Sequence, residues 1–267
     1  MEESIITSLQ NARVKHLVQL QQKSSERRRT GLFVVEGQRE LIHCIEAGYE
    51  VESLFFCQDE GLRSKVEGLR SKVEGIQTAF TVTPAVYEKI AYRGSTEGIV
   101  AVVRQQPLTL HDLRLSPSPL VMVLESVEKP GNLGAVLRSA DAAGADAVII
   151  CDPLTDLYNP NLIRASLGAL FSVPTIACSS EDCIRFLKQH NVQILTAQLQ
   201  DSNLYYDTDM RRPTAIVMGT ESTGLTDTWR LAADAHIRIP MLGRMDSLNV
   251  SVSAAILLFE AVRQRNS

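Results

Sequence analysis

Apolar runs alternate with amphipathic stretches through the first hundred residues, and this pattern predicts a small α/β unit. Short apolar runs predict strands at 32–35, 51–57, 79–83 and 98–103. Residues 38–47 have helical periodicity and are followed by Gly48, a residue that commonly ends helices. A second helix is predicted at 84–92. An identical seven-residue repeat at 61–67 and 68–74 keeps one helical seam, which predicts a lengthened surface helix.

The second half of the chain repeats a strand and helix pattern that is typical of a parallel sheet. The continuous apolar run at 120–125 predicts a strand buried on both faces. A strong helical stripe follows, with Asn132 expected at the N-cap, Gly144 after the last turn, and Arg138 pointing away from the apolar side. Later strands are predicted at 147–151, 173–178, 193–197, 214–219 and 236–241. Later helices are predicted to open at 159–160, to span 181–190 and to run up to about 265.

Three proline residues lie between these halves in a polar stretch. We therefore expect a first domain at 1–106, a linker at 107–118 and a second domain at 119–267.

Three polar, glycine-containing loops each follow a predicted strand of the second half, at 128–134, 219–225 and 241–249. Parallel strands place such loops at one edge of the sheet, where open α/β sheets bind ligands. Taken singly, each loop has an ordinary explanation: Asp246 or Ser247 caps a helix, and Arg138 pairs with Asp141 on the surface. Together they predict a site for a polar ligand.

Charge and cysteine content narrow the classes of protein. The net charge of −4 argues against a protein that coats nucleic acid nonspecifically. Residues 1–30 nevertheless carry six basic side chains against three acidic ones, which indicates local phosphate contacts. The candidate phosphate-contacting residues are Arg13, Lys15, Arg27, Arg28 and Arg29. With no membrane-length apolar run and an acidic start, the chain is expected in the cytoplasm. Five scattered cysteines without a C-x-x-C pair predict reduced, mostly buried thiols and no metal.

Three segments in order carry a family resemblance. They are Pro-Gly-Asn-Leu-Gly-Ala-Val-Leu-Arg at 130–138, Val-Met-Gly-Thr-Glu-Ser-Thr-Gly-Leu at 217–225, and Ile-Pro-Met with Ser-Leu-Asn-Val-Ser-Val within 239–252. This set resembles the motifs of the SpoU (TrmH-like) branch of the SPOUT RNA methyltransferases. Phe-Val-Val-Glu-Gly at 33–37 and the Arg-rich segment before it resemble the ribosomal-protein-like (L30e-like) RNA-binding domain of that family.

The resemblance implies a C-terminal trefoil-knotted α/β domain with a parallel sheet, preceded by the small α/β RNA-binding domain. It also implies methyl transfer from S-adenosylmethionine to a ribose 2′-hydroxyl of structured RNA. By match to the motifs, Arg138 lies beside that hydroxyl, and Asn132, Glu221, Ser247 and Asn249 hold the RNA, the arginine and the loops. The cofactor contacts, mostly from the backbone, are expected at Ala197, Gly219, Ile239, Met241 and Leu248.

Two roles remain open for Arg138, a general base or an electrostatic stabiliser, and we favour the second because guanidinium is almost never deprotonated in proteins. Large-subunit ribosomal RNA is the favoured substrate because of the two-domain arrangement; the alternatives are transfer RNA and a non-catalytic RNA-binding role. A dinucleotide-binding site is disfavoured because the chain has no G-x-G-x-x-G. The family also implies a homodimer formed by the last helix, through an apolar stripe that burial within the monomer explains equally well: Val252, Ala255, Ile256, Phe259 and Val262.

Overall fold

The computed structural model describes residues 5–57, 78–92, 97–220 and 222–267. The chain divides into two compact units. The first unit comprises Met1–Gln106 with Tyr158–Gly168, and the second comprises Pro107–Leu157 with Ala169–Ser267. The duplicated segment at 61–74 lies outside the described residues.

The boundaries of these units differ from the predicted domains in two places. The segment Tyr158–Gly168 belongs to the first unit, because the ring of Tyr158 packs on Phe33 with centroids 4.5 Å apart and its hydroxyl accepts a hydrogen bond from the backbone N–H of Gln106. The residues expected to form a linker belong to the second unit and include a 3-10 turn, Leu110–Asp112.

The first unit is built on a mixed sheet whose strands are short and apolar. In chain order the strands are β1 (Ile5–Ile6), β2 (Leu32–Glu36), β3 (Val51–Cys57), β4 (Ala79–Val82) and β5 (Ile99–Arg104), and their order in the sheet is β1-β4-β3-β5-β2. In this sheet β5 pairs antiparallel with both β3 and β2, whereas β4 pairs parallel with β1 and β3. The helices of this unit are Ala12–Gln22, Ser24–Thr30, Gln38–Glu46, Pro84–Ile90 and Pro160–Ser166.

The second unit is built on a fully parallel sheet. Its strands are β6 (Leu120–Glu125), β7 (Ala147–Cys151), β8 (Thr175–Cys178), β9 (Gln193–Ala197), β10 (Asn203–Leu204), β11 (Thr214–Met218) and β12 (Ala235–Arg238). Their order is β10-β12-β9-β11-β6-β7-β8. Every residue of β6, β7 and β11 is buried, and for β6 this confirms the predicted burial on both faces. Strands β8 and β12 are shorter than predicted because Pro174 and Pro240 have no N–H for a ladder.

The helices of the second unit include two that frame the predicted site. They are the Arg138 helix (Pro130–Ala142) and the C-terminal helix (Val250–Arg265), which pack against each other. The remaining helices are Ala169–Ser172, Ser180–Gln189 and Asp227–Ala232. No helix in the described ranges combines the length and apolar character needed to cross a membrane.

The two sides of the C-terminal helix differ in burial. Val250, Ala254, Leu257, Leu258 and Ala261 are buried within the unit. Val252 and Phe259, from the stripe assigned to a dimer, are 48% and 47% exposed. The alternative that monomer burial explains that stripe is therefore wrong for these two side chains.

All five cysteines are free thiols, and three of them are buried, as the sequence predicts. Their scatter along the sequence does not persist in space. The Sγ atoms of Cys151, Cys178 and Cys183 all lie within 4.8 Å of one another.

Candidate functional site

The sheet order places the three predicted loops at neighbouring positions. Strands β12, β9, β11 and β6 are adjacent and parallel, so their carboxyl ends lie along one edge. The loop after β6 leads into the Arg138 helix, the loop after β11 contains Gly219, and the loop after β12 leads into the C-terminal helix. The prediction of one shared edge is confirmed.

A cleft opens at the ends of β9, β11 and β12. Four of the five residues predicted to contact a cofactor line it, Ala197, Ile239, Met241 and Leu248. Apolar side chains such as Met218, Ile237 and Leu257 also contribute to the lining, and Asp246 and Ser247 lie at it too. The cleft therefore combines apolar walls with strand-end backbone and a few polar groups.

Gln198 gives this cleft an unused hydrogen-bond acceptor. Its side-chain Oε1 is buried and has no hydrogen-bond partner in the part of the chain that the structure describes. A buried amide oxygen without a partner is costly and indicates a missing donor. S-adenosylmethionine fits these residues, because it offers an amino group and an adenine ring to an apolar slot.

Gly219, the fifth predicted cofactor residue, does not line the cleft but fixes the loop beside it. A Cβ atom on Gly219 would lie 2.3 Å from the carbonyl carbon and oxygen of Gly224 and 2.6 Å from the nitrogen of Leu225. The loop returns on itself here, with an isolated bridge between Thr220 and Gly224. Only glycine permits this close backbone approach.

Two asparagines join the loops on either side of the site. Asn249 Nδ2 donates a hydrogen bond of 3.2 Å to Asn132 Oδ1. Asn249 is also the N-cap of the C-terminal helix, since its Oδ1 accepts from the backbone N–H of Ser251 at 3.0 Å. The prediction that Asn132 caps its own helix is wrong: the helix begins at Pro130, whose fixed φ suits the first helical position, and Lys129 is the N-cap.

Arg138 is exposed on its helix. Its guanidinium has no hydrogen-bond or ion-pair partner among the described residues. The suggested pair with Asp141 does not form, because Asp141 accepts a hydrogen bond of 2.7 Å from Ser172 Oγ. An exposed guanidinium that pairs with none of the described residues is available to an external anion.

The other predicted site residues are less constrained. Ser247 is exposed, and its hydroxyl donates to Asp246 Oδ1 at 3.2 Å. Ser247 lies before the C-terminal helix and does not cap it, since Asn249 does. Glu221 lies outside the described residues.

Sequence reasoning missed two residues at this edge. One is Gln198, which directly follows Ala197 at the end of a predicted strand. That position was the available signal. The other is Glu125, the last residue of β6, which is 3% exposed. Its carboxylate accepts hydrogen bonds from the backbone N–H of Thr226 at 2.9 Å and from its hydroxyl at 2.6 Å, and so anchors the end of the Gly219 loop. A carboxylate ending an otherwise apolar run was the available signal.

The basic residues near the N-terminus do not form one class. Arg27 is only 2% exposed, and its guanidinium donates to the carbonyls of Leu20 at 2.6 Å and Gln21 at 3.1 Å. The prediction that Arg27 contacts RNA is therefore corrected: it satisfies carbonyl groups at the end of the preceding helix.

The other four basic residues are exposed. Arg29 pairs with Glu26 through two hydrogen bonds. Hydrogen bonding to the Glu26 carboxylate raises the pKa of Arg29. The Arg13 guanidinium lies 4.7 Å from the ring centroid of Phe80. Lys15 and Arg28 have no partner within the described ranges. These two side chains are the most available for phosphate.

Comparison with known proteins agrees with this geometry. The family model described as "SpoU rRNA Methylase family" matches residues 119–259, and the model of an "MRM3-like substrate binding domain" matches residues 11–101. A 23S rRNA (uridine(2479)-2′-O)-methyltransferase of Streptomyces viridochromogenes is 31% identical, over 98% of this chain and 93% of that protein.

Solved structures match over the same length. A crystal structure of an RNA 2′-O ribose methyltransferase has a TM-score of 0.85 at 41% identity, covering 98% of this chain and 100% of the other. An AdoMet-bound rRNA methyltransferase from Sinorhizobium meliloti has a TM-score of 0.89 at 31% identity, covering 98% of both chains. With one matched model spanning more than half of its length, the chain belongs to the SpoU rRNA methylase family.

Proposed function

We propose that this protein transfers a methyl group from S-adenosylmethionine to a ribose 2′-hydroxyl of large-subunit ribosomal RNA. The observation that carries the proposal is the hydrogen bond between Asn249 and Asn132. It ties the helix that bears the unpaired Arg138 to the loop that walls the cleft. A cofactor site and a solvent-facing guanidinium are thereby held within one unit.

Bound S-adenosylmethionine supplies a methyl group that is already activated by its sulfonium centre. The protein residues orient it. Ala197 at the end of β9 and Ile239, Met241 and Leu248 in the loop after β12 surround the slot, and Gly219 fixes the conformation of the neighbouring loop. Gln198 Oε1 accepts a hydrogen bond from an amino group of the ligand. Holding both reactants in line is the main contribution that such a site makes to the rate.

Arg138 acts on the incoming ribose in this proposal. Its guanidinium stays protonated, since arginine is effectively always charged in proteins. It binds the adjoining phosphate and stabilises the negative charge that develops on the 2′-oxygen as the proton leaves to phosphate or water. Asn132, Glu221, Ser247 and Asn249 position the loops and the RNA around it.

The substrate assignment is supported by how far the similarity extends. The relative from Streptomyces viridochromogenes, whose name specifies 23S rRNA, matches 98% of this chain, including the region matched by a substrate-binding model. We propose that residues 1–106 form the RNA-binding domain and that Arg13, Lys15, Arg28 and Arg29 contribute to phosphate binding. The trefoil knot, the L30e-like character of the first domain and the cytoplasmic location stay predictions.

A homodimer is the second part of the proposal. Val252 and Phe259 expose apolar surface on the C-terminal helix, on the side away from its buried residues. Large apolar side chains are exposed on the preceding loop as well, at Leu242 and Met245. Several large apolar side chains exposed along one stretch of chain are typical of an interface, and a second copy of this chain is the proposed occupant.

Methyl transfer to defined RNA tests the function. Protein, labelled S-adenosylmethionine and unmodified 23S rRNA should give labelled RNA that resists alkaline cleavage at one linkage, because 2′-O-methylation blocks that cleavage. Transfer RNA under the same conditions should stay unlabelled. RNA binding without any label would instead favour the non-catalytic alternative, and labelled transfer RNA would overturn the substrate assignment.

A further inference from the structure

Three thiols converge at the β7–β8 end of the parallel sheet, while the cleft lies toward the other end of the strand order, at β12, β9 and β11. Cys151 is the last residue of β7 and Cys178 the last residue of β8, and the two face each other in parallel register. Cys183 lies in the first half of the following helix, Ser180–Gln189. All three Sγ atoms lie within 4.8 Å of one another. The pairing of β7 with β8 and the short connection to the next helix therefore bring together three thiols whose proximity the sequence spacing did not reveal.

The spacing of these sulfur atoms suits a thiolate-bound metal ion. Zinc–sulfur bonds of about 2.3 Å in tetrahedral geometry place thiolate sulfurs about 3.8 Å apart. From separations of at most 4.8 Å, closure needs relative shifts of no more than about 1 Å. Four residues separate Cys178 from Cys183, which is within the spacing typical of a ligand pair.

The surroundings also favour a bound cation. Cys151 and Cys183 are fully buried, whereas Cys178 is partly exposed and leaves one side of the cluster open. Asp152 directly follows Cys151, and Asp182 directly precedes Cys183. Two carboxylates beside the cluster make its potential more negative, which attracts a cation. A disulfide would join two of the three sulfurs and leave the third without a role.

We propose that Cys151, Cys178 and Cys183 bind one Zn²⁺ ion that stabilises the β7–β8 edge of the second unit. Binding releases three protons as the thiols become thiolates, and the complex carries a net charge of −1. Water completes the fourth position on the open side at Cys178. The ion links two strand ends to the start of a helix, and it takes no part in methyl transfer, since β6 lies between β7 and β11, the nearest of the cleft strands. This proposal replaces the expectation of no metal.

Metal content of the full-length, untagged protein tests the proposal. After exposure to Zn²⁺ and desalting, elemental mass spectrometry should find about one zinc ion per chain. Cys178→Ser should lose the zinc. Cys57→Ser is the matched control, because Cys57 is also partly exposed but belongs to the first unit. The Cys57→Ser protein should contain as much zinc as the unmodified protein. Circular dichroism checks that both variants fold.

Two measurements on the unmodified chain keep the test independent of the variants. Co²⁺ added to metal-free protein should produce sulfur-to-cobalt charge-transfer absorption. Zn²⁺ should protect Cys178, the partly exposed thiol of the cluster, from a thiol reagent, while the partly exposed Cys57 stays reactive. A chain that retains no zinc, a Cys178→Ser variant that keeps it, or a Cys178 thiol that Zn²⁺ does not protect would each overturn the proposal.

Discussion

The side chains of Asn132 and Asn249 are hydrogen-bonded at 3.2 Å although 117 positions separate them in the sequence. Asn132 belongs to the third position of the Arg138 helix, and Asn249 caps the C-terminal helix. The side-chain amide of Asn249 therefore has two roles. Its oxygen caps the C-terminal helix, and its nitrogen holds the Arg138 helix beside the loop that lines the cleft. These tasks use different atoms, so they can be separated by substitution.

Asn249→Asp should separate them. The carboxylate keeps an acceptor for the Ser251 N–H and lies favourably at a helix N-terminus, but it cannot donate to Asn132. We expect unfolding stability close to that of the unmodified protein and a marked loss of methyl transfer, measured by urea denaturation and a labelled-methyl assay.

Asn249→Ala is the matched comparison. It removes both the cap and the bridge, so it should lose the same activity and about 1 kcal/mol of stability as well. Full activity in Asn249→Asp would show that the bridge is dispensable for catalysis.

Arg138→Lys should lower kcat by about 100-fold, the typical effect of removing one donor to a developing oxyanion. Lysine keeps the charge but cannot reproduce the planar, two-pronged contact of guanidinium with phosphate. Folding stability should change by less than about 0.5 kcal/mol, because Arg138 is exposed and has no partner among the described residues. Steady-state kinetics and denaturation provide the two measurements.

Arg211→Lys is the control for that substitution. Arg211 is also exposed, and it pairs with Asp209 on the surface at 2.9 Å. Its replacement should leave kcat unchanged. Near-normal turnover by Arg138→Lys would remove the case for bidentate phosphate binding.

Gly219→Ala should weaken cofactor binding without unfolding the protein. The added Cβ would lie 2.3 Å from the Gly224 carbonyl, so the loop must move. Overpacking of this kind costs about 1–3 kcal/mol, and 1.4 kcal/mol corresponds to about tenfold in affinity. Isothermal titration with S-adenosylmethionine measures the effect.

Gly243→Ala is the control for this substitution, since a Cβ on Gly243 meets nothing within 4 Å. Equal affinities of the two variants for S-adenosylmethionine would contradict the prediction.

The parallel sheet and its functional edge could be predicted because burial on both faces leaves a clear signal. The apolar run at 120–125 became β6 (Leu120–Glu125) with unchanged bounds, and parallel pairing brought the loops together. The start of the Arg138 helix could not be decided in this way. Pro130 and Asn132 both signal a helix start, and the proline, which precedes, determines it.

Side-chain direction and strand register account for the other differences. Arg27 and Arg28 are neighbours of one residue type, and only the rotation of their helix buries the first and exposes the second. Cys151 and Cys178 come together because β7 and β8 pair in one register, and sequence spacing does not encode that pairing. Gln198 was missed because its unpartnered oxygen becomes visible only in three dimensions.

Phe259→Glu should convert the proposed dimer into a monomer. Phe259 is 47% exposed in the isolated chain, so a charge there costs the monomer little, whereas burying an unpaired carboxylate in an interface is unfavourable. Light scattering after size exclusion should report the monomer mass. Leu231→Glu, on the helix Asp227–Ala232, adds the same single charge at a side chain that is 87% exposed and should preserve the dimer; a Phe259→Glu dimer would argue against this face.

Arg27→Ala and Arg28→Ala should affect different properties of the first unit. Removing Arg27 leaves the carbonyls of Leu20 and Gln21 without their buried donor, so stability should fall by about 1–3 kcal/mol. Removing exposed Arg28 should leave stability within about 0.5 kcal/mol but weaken RNA binding and reduce the slope of log affinity against log salt by about one. Urea denaturation and RNA binding at several salt concentrations distinguish the two. An unchanged salt slope in Arg28→Ala would exclude that residue from the RNA-binding surface, and the adjacent Arg27 could not replace it because its guanidinium is already committed to the helix end.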